Sequence, residues 1–385
     1  MNRDYEVVVC GGGVAGIAAA LASARTGAST CLVEREYALG GLATLGLIVV
    51  YLPLCDGNGV QMSGGIAEEL LKLSIQYGPG SIPRAWRDGN REPRDCMRYQ
   101  VQYNAASFLI AAEELLLKNG VQLLYGVQLS DVNKSGDLMT SVVVETKRGR
   151  QCIRAKAFVD ATGDADLCFF AGEKTVEDDT NRRTGWFFSY DEQRLQLHSL
   201  TDSLYKEVPE GSRTYSGTEP EDVTRHCIDG RRMIMAEIDK MHQSGNRAAY
   251  PLLVPAIPGL RMTRRLTSEL EFSEQHQGVW FQDAIGMMGD WRKIGPRYSI
   301  PYRAIQGMRH RNLYAAGRCI SADKSGWDIA RVIPVCAVSG QAAGQAAALQ
   351  AISGQRPGYQ LLQQNLKKSG ALLDASLFER QENIP

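Results

Sequence analysis

No two of the nine cysteines, at 10, 31, 55, 96, 152, 168, 227, 319 and 336, have Cys-x-x-Cys spacing. An odd count at irregular spacing leaves a disulfide framework, a zinc knuckle, a dithiol relay and an internal iron–sulfur centre without support. Cys10, Cys31 and Cys336 sit in apolar runs, where a thiol packs as a small hydrophobe, and a reducing compartment suits them. Histidine is scarce: the five, at 198, 226, 242, 276 and 310, have no partner at a recognisable spacing, so none is assigned a role. An excess of charge of either sign is absent, because Lys+Arg and Asp+Glu both total 43. That balance weighs against a sequence-independent nucleic-acid binder, which needs a basic excess. Long hydrophobic runs are missing as well. Leu42–Cys55, the longest, carries Gly46 and Pro53 and is too short for a bilayer. Met1-Asn2-Arg3-Asp4 leads straight into a strand-like segment without a targeting pattern. The expectation is a cytoplasmic protein with no membrane span and no nucleic-acid partner.

What remains is an ordinary globular composition, 44% hydrophobic and 22% charged, over 385 residues, which favours two domains. Tyr5–Cys10 is predicted to be a strand, Gly11-Gly12-Gly13 a turn, Val14–Thr26 a helix stopped by Gly27, and Thr30–Val33 a buried strand ending on Glu34. Residues 65–77 and Asn104–Lys118 have helical apolar spacing, with a Gly-, Pro- and Arg-rich loop over 78–103 between them. Val121–Tyr125, Leu138–Lys147 and Gln151–Asp160 read as strands, the last two joined at Arg148-Gly149, which gives a β-meander inserted in a larger α/β sheet. From about Gly172 to Gly295 the strand–helix alternation fades. It returns with a strand at Asn312–Gly317 and an Ala- and Gly-rich helix from Pro334 to about Ile352.

Gly11-x-Gly13-x-x-Gly16 follows a strand and opens a helix, the context in which this fingerprint binds a dinucleotide. Gly11 permits the tight turn, Gly13 lets backbone approach a pyrophosphate, and Gly16 lets the helix pack on the strand. The helix N-terminus adds free N–H donors and a positive dipole. Glu34, eighteen residues after Gly16, ends the next strand, where a carboxylate can accept hydrogen bonds from ribose hydroxyls. Three later features separate a flavin from a nicotinamide dinucleotide. Gly40-Gly41-Leu42-Ala43-Thr44 replaces the helix a nicotinamide domain would begin there. Val159-Asp160-Ala161-Thr162-Gly163-Asp164 runs from a strand into a Thr-Gly turn. Leu313-Tyr314-Ala315-Ala316-Gly317-Arg318 is a second buried strand ending in glycine, and Ala330-Arg331-Val332-Ile333-Pro334 then leads into the late helix, where proline suits the first position. Gly340 and Gly344 on that helix suit close packing on a neighbour.

With these stretches in this order, GGGVAGIAAALASARTGASTCLVERE, ALGGLAT, AKAFVDATGDADL, PGLRMTRRL, YSIPYRAI and NLYAAGRCISADKSGWDIARVIPVCAVSGQAAGQAAAL, the chain resembles the FAD-dependent oxidoreductases related to the flavoprotein subunits of fumarate reductase and succinate dehydrogenase. The resemblance covers nearly all of the chain. It implies an α/β fold: a Rossmann-type FAD-binding domain with a β-meander insertion, discontinuous over 1–180 and 295–354. It also implies a second α+β substrate (cap) domain over 181–294 and a helical tail over 355–385. Cofactor positions carried over from the first half are Gly11, Gly13, Val14, Ala15, Gly16, Glu34 and Arg35, then Gly40, Gly41, Leu42, Ala43 and Thr44. From the middle come Leu129, Ala161, Thr162, Gly163 and Asp164. From the end come Gly317, Arg318, Arg331, Val332 and Pro334, with the late helix aimed at the flavin pyrimidine edge. Arg318 stands where many relatives have an acidic residue. No histidine lies near Gly40-Gly41, so the FAD is expected to be non-covalent, with Cys55 as the outside candidate for a thioether.

In the second domain, Arg261, Arg264 and Arg265 cluster in PGLRMTRRL. On a strand Arg261 and Arg265 would share a face. Guanidinium groups suit anionic oxygens, and the same pattern also suits a solvated strand or ion pairs with Glu269 or Glu271. Arg261, Arg265 and Arg331 are the candidate catalytic cations. Trp186-Phe187-Phe188 and Trp280-Phe281 fit either a pocket over the flavin or core, and Asp283 fits a cap on a helix over Ala284–Met288. No second dinucleotide fingerprint and no metal site exist. The reading is therefore an FAD-dependent oxidoreductase moving a hydride between flavin N5 and a small polar or anionic molecule, with an external electron donor or acceptor. The alternatives are a flavin monooxygenase or halogenase, an electron-transfer subunit without its own small substrate, and, against the charge balance, an RNA-modifying flavoenzyme.

Overall fold

The computed structural model describes residues 4–87, 98–182, 184–200 and 211–382. Met1–Arg3, Cys96 and part of the expected 78–103 loop lie outside them.

The opening strand, Asp4–Cys10, is flanked by parallel partners on both sides, Thr30–Glu34 and the second half of Gly149–Asp160. Val7, Val8 and Val9 are fully buried, as expected of a parallel strand covered on both faces. Gln122–Tyr125 extends the sheet beyond Thr30–Glu34, and Leu313–Ala315 joins Gly149–Asp160 on its far edge. The twelve-residue strand Gly149–Asp160 has two roles. Its first half closes an antiparallel meander with Leu138–Thr146 and Gln128–Ser135, and its second half carries the parallel core. Gln128–Ser135 has no strand-like apolar run and was not predicted; its pairing in the meander makes it one.

Helix Val14–Arg25 and the late helix Ile333–Ser353 pack face to face on small residues. A Cβ on Gly340 would lie 2.2 Å from the Ala15 carbonyl oxygen, and one on Gly344 would lie 2.0 Å from that of Ala19. Glycine is therefore required for the two backbones to meet. The late helix begins at Ile333, so Pro334 falls one position later than expected, still inside the first turn where its missing N–H costs nothing.

Residues 181–260 contain helix Pro220–Gln243 and the small sheet Leu195–His198, Phe187–Tyr190 and Tyr250–Leu253. Phe187, Ile234 and Ile238 form a separate small core there. From Met262 onward nearly all the buried apolar side chains belong to the two large clusters on the main sheet, Phe272, Phe281, Ile285, Met287 and Ile300 to one and Leu266, Leu313 and Cys319 to the other. Trp280 and Phe281 are thus core residues. Ala284–Gly289 is a strand hairpinned with Arg297–Pro301, which corrects the expected helix. Asp283 instead accepts from the Arg303 backbone and guanidinium. The tail is only partly helical. Tyr359–Lys368 buries Leu362 and Leu366, and Arg380–Gln381 pairs in parallel with Val279–Trp280. Among the described residues no single helix is long and apolar enough to cross a membrane; Lys324–Ala330 and Ile333–Ser353 together would pass only as a pair bent by 93°, and the second is a core helix.

Candidate cofactor and substrate cavity

The fingerprint turn is locked by backbone. Gly11 N–H donates to Val33 O and Gly40 N–H to Gly12 O, each at 2.8 Å. Gly11 has φ +102°, and a Cβ there would lie 2.4 Å from the Ala161 carbonyl oxygen. The turn therefore accepts only glycine. The Glu34 carboxylate receives the Gly12 N–H and, at 2.8 Å, that of Glu36. Buried Asp160 organises the opposite turn: it accepts from Thr162 N (3.1 Å), Thr162 Oγ1 (2.7 Å) and Cys168 N (2.8 Å). Asp160 lies within the quoted middle stretch, yet its anchoring role was missed because a strand-end carboxylate carries no signal of its partners. The late turn is held by Gly317 N–H donating to Ser339 Oγ at 2.9 Å.

These three turns surround one cavity, partly open to solvent. Gly11, Gly13, Val14 and Ala15 line it from the fingerprint, and Glu34 and Arg35 from the next strand. Gly40 to Ala43 follow, then Ala161 to Asp164. Gly317, Arg318, Arg331 and Val332 complete the expected set. Both long helices open on this space with no side-chain cap, so their first N–H groups and dipoles face it. A Cβ on Gly13 would meet nothing within 4 Å, which leaves room for a ligand against bare backbone. An extended, diphosphate-bearing dinucleotide fits this donor set: backbone N–H for phosphate, a carboxylate for ribose, and a long trough between.

Four expected cofactor residues do not line the cavity. Gly16 serves packing, since a Cβ would sit 1.8 Å from Gly11 O. The Thr44 hydroxyl donates to Leu39 O and shapes the Gly40-Gly41 turn. Leu129 lines a smaller neighbouring cavity with Glu34, Arg35 and Thr162, and Pro334 is buried in the late helix. Arg318 does line the cavity, with Nε donating to Gly163 O at 3.1 Å and Nη2 3.5 Å from Asp164.

The arginines separate. Arg261 and Arg331 reach the cavity, and Arg331 is paired with Asp328 at 2.6 Å. Arg265 does not reach it: its Nε donates to Ala322 O and its guanidinium sits 5.0 Å from the Trp327 ring. The strand spans only Arg264–Leu266, so Arg261 and Arg265 share no strand face, and Arg265 is a packing residue. Arg264 pairs with Asp166 at 2.6 Å and with Glu177 at 3.4 Å, and not with Glu269 or Glu271. Cys55 is buried outside the cavity lining. Cys336 does line it; burial pushes its thiol up to about 11 against the pull of Arg318 and Arg331. His226, given no role, is buried with Nε2 3.0 Å from Arg182 O, and His310 lies 3.1 Å from Glu173. Sequence reasoning missed Ile48, Val50 and Leu52, and also Ile257, Pro258 and Leu260, all of which line the cavity. Residues 48–52 are apolar throughout, so nothing in the sequence separates their two faces, and the 257–260 loop offered no signal either.

Among solved structures, the chain is similar to CabE, an aromatic hydroxylase from angucycline biosynthesis, with 16% identity and a TM-score of 0.48, covering 95% of this chain but only 66% of the other. It is also similar to p-nitrophenol 4-monooxygenase PnpA from Pseudomonas putida DLL-E4, at 14% identity, 0.46, 95% and 84%. A geranylgeranyl bacteriochlorophyll reductase-like protein from Thermoplasma acidophilum gives 12%, 0.45, 95% and 83%. At this level of likeness none of them bears on what this chain does. The family described as FAD dependent oxidoreductase is matched in two overlapping segments, residues 6–186 and 179–369. Nearly the whole chain is covered, and it belongs to that family: it is a flavoenzyme whose cofactor is FAD.

Proposed function

We propose that the cavity holds FAD non-covalently along the three glycine turns and that the enzyme transfers a hydride between flavin N5 and a small organic anion. One observation carries the reading: a single trough joins two uncapped helix N-termini and Glu34 to a patch bearing Arg261. Gly13, Val14 and Ala15 present backbone donors to the diphosphate, and Glu34 accepts from the ribose. The uncapped start of the late helix would face the bound cofactor with its positive end and stabilise negative charge there. Arg331, oriented by Asp328, adds a fixed cation beside it. Bound there, the isoalloxazine supplies the atom that gives or takes the hydride. A neutral Cys336 thiol and a Cys55 outside the lining support non-covalent attachment. The ordered motifs support kinship with the fumarate reductase and succinate dehydrogenase flavoproteins. Residues 181–260, with their own small core, support a substrate-facing unit that ends near 260, not 294. A cytoplasmic location and an external electron donor or acceptor complete the proposal.

Photoreducing the flavin anaerobically and screening organic acids, sugars and quinones for reoxidation tests the hydride reading. Reoxidation by an acid supports it. Reoxidation only by oxygen, with hydroxylation or halogenation of an added substrate, replaces it with the monooxygenase or halogenase alternative. Reoxidation only by a protein partner replaces it with the electron-transfer subunit.

A further inference from the structure

Two wall segments of the cavity belong to none of the glycine turns. Along residues 48–52 exposure alternates: Val49 and Tyr51 are fully buried in the core, whereas Ile48, Val50 and Leu52 face the cavity. Strand Val50–Tyr51 is only the middle of this run, and the alternating burial along it gives these three one aliphatic surface on the cavity. The other segment is Ile257, Pro258, Leu260 and Arg261. Just before it, the Ala256 N–H donates to Leu45 O at 2.8 Å, three residues ahead of the first segment. The far end of the second segment is fixed by Asn181 Oδ1, which accepts from Arg261 N at 2.8 Å and Met262 N at 2.9 Å.

Arg261 is the one charged residue in either segment. The remaining lining side chains there are aliphatic or proline, and the Tyr51 hydroxyl points away, donating to Ala67 O at 2.6 Å.

From this pattern we propose that the lobe between residues 48–52 and 257–261 binds an organic monocarboxylate with an apolar body. The carboxylate lies on the Arg261 guanidinium, and the alkyl or aryl body lies against Ile48, Val50, Leu52 and Ile257. The assignment rests on the reading of the rest of the cavity as the flavin site. A polyol is excluded because aliphatic walls leave its hydroxyls without partners. A dicarboxylate is disfavoured because these two segments carry one cation, and its second carboxylate would lie against aliphatic side chains.

The test uses the flavin-loaded protein. Butyrate, hexanoate, octanoate, phenylacetate, hexanamide, succinate and glucose are titrated, with binding read by perturbation of the flavin absorbance band and by calorimetry. Affinity should rise about fourfold per added CH₂ from butyrate to hexanoate, the factor that corresponds to ~0.8 kcal/mol. Hexanoate should bind at least tenfold more tightly than hexanamide, succinate or glucose. In Arg261→Met the preference for hexanoate over hexanamide should vanish while flavin content is retained. In Leu52→Asn the dependence on chain length should flatten. Succinate or glucose binding as tightly as hexanoate, or no dependence on chain length, overturns the assignment in the parent protein alone, whatever the variants do. Protein that carries no flavin before any titration overturns the cofactor reading instead, so the two failures are distinguishable.

Discussion

The two sides of the cavity are built from different material. On the cofactor side the shape is set by backbone: glycine turns hydrogen-bonded to one another and two helix ends opened toward the ligand. On the other side it is set by side chains on a short strand and an irregular loop. Backbone geometry tolerates little substitution: Gly11, Gly40, Gly163 and Gly317 all have positive φ, and a Cβ on Gly11 collides with the Ala161 main chain. A side-chain wall can be changed residue by residue without moving the chain. The first side should therefore fail as a unit, and the second should change specificity while the cofactor stays bound.

Gly11→Val should have the largest effect. The new Cβ would meet the Ala161 carbonyl at 2.4 Å, at a positive φ that valine avoids. Flavin content, measured as the ratio of flavin to protein absorbance, should fall to background, with a stability loss of about 2–5 kcal/mol in a denaturant titration. Leu52→Ala, made in parallel on the other wall, should keep parent flavin content. Similar flavin loss in both variants would erase the contrast.

Glu34→Lys comes next. It removes the acceptor of the Gly12 N–H and places a cation by the ribose. Loss of a charge-assisted hydrogen bond is worth about 1.5–3 kcal/mol, so FAD affinity should drop roughly 10- to 150-fold with the fold retained. Equal FAD affinity in dialysis would show that Glu34 does not touch the cofactor.

The arginine pair sharpens the comparison further. Arg261→Lys keeps the charge but loses the planar fork, so turnover should fall about tenfold, the equivalent of ~1.4 kcal/mol, at unchanged FAD content. Arg265→Lys should instead lower stability by about 1–3 kcal/mol, because the Ala322 carbonyl loses its donor and the Trp327 face its partner. Its turnover per bound flavin should stay near that of the parent. The reverse outcome, with Arg265 governing turnover, would return Arg265 to the site.

The smallest effect is a pH dependence beside the side-chain wall. Burial lowers the His226 pKa below the usual 6.5, with Arg261 pulling the same way and Asp229 opposing. A base with a depressed folded pKa contributes stability that is present above 6.5 and lost as pH falls through the folded value. The melting temperature of the parent should therefore drop from pH 7.5 to 5.5, and His226→Gln should lose part of that slope. Parallel slopes in both proteins would remove His226 from the account.

The same contrast explains what the sequence made legible. Glycines at Gly11, Gly40, Gly163 and Gly317 announce themselves because positive φ or close approach excludes other residues, and all four line the cavity. Long elements such as Val14–Arg25 and Ile333–Ser353 fall within a residue or two of their sequence patterns. Gln128–Ser135 was invisible because its strand state comes from pairing, and Ala284–Gly289 was misread because a short apolar run fits helix and strand alike. Arg265 was misplaced for a related reason. Sequence spacing reports a face only inside a regular element, and the strand ends at Arg264 before it reaches Arg261. The aliphatic wall depended on which side of Val50–Tyr51 faces the core, a tertiary fact that the uniformly apolar run 48–52 does not show.

The central claim is that this chain carries FAD, non-covalently, in the trough between its glycine turns. The most direct test is to purify the protein, precipitate it with acid, and identify and count the flavin in the supernatant. The expected result is one FAD per chain released into solution and a colourless pellet. Flavin retained in the pellet, FMN in place of FAD, or no flavin from a protein that is otherwise folded would contradict it.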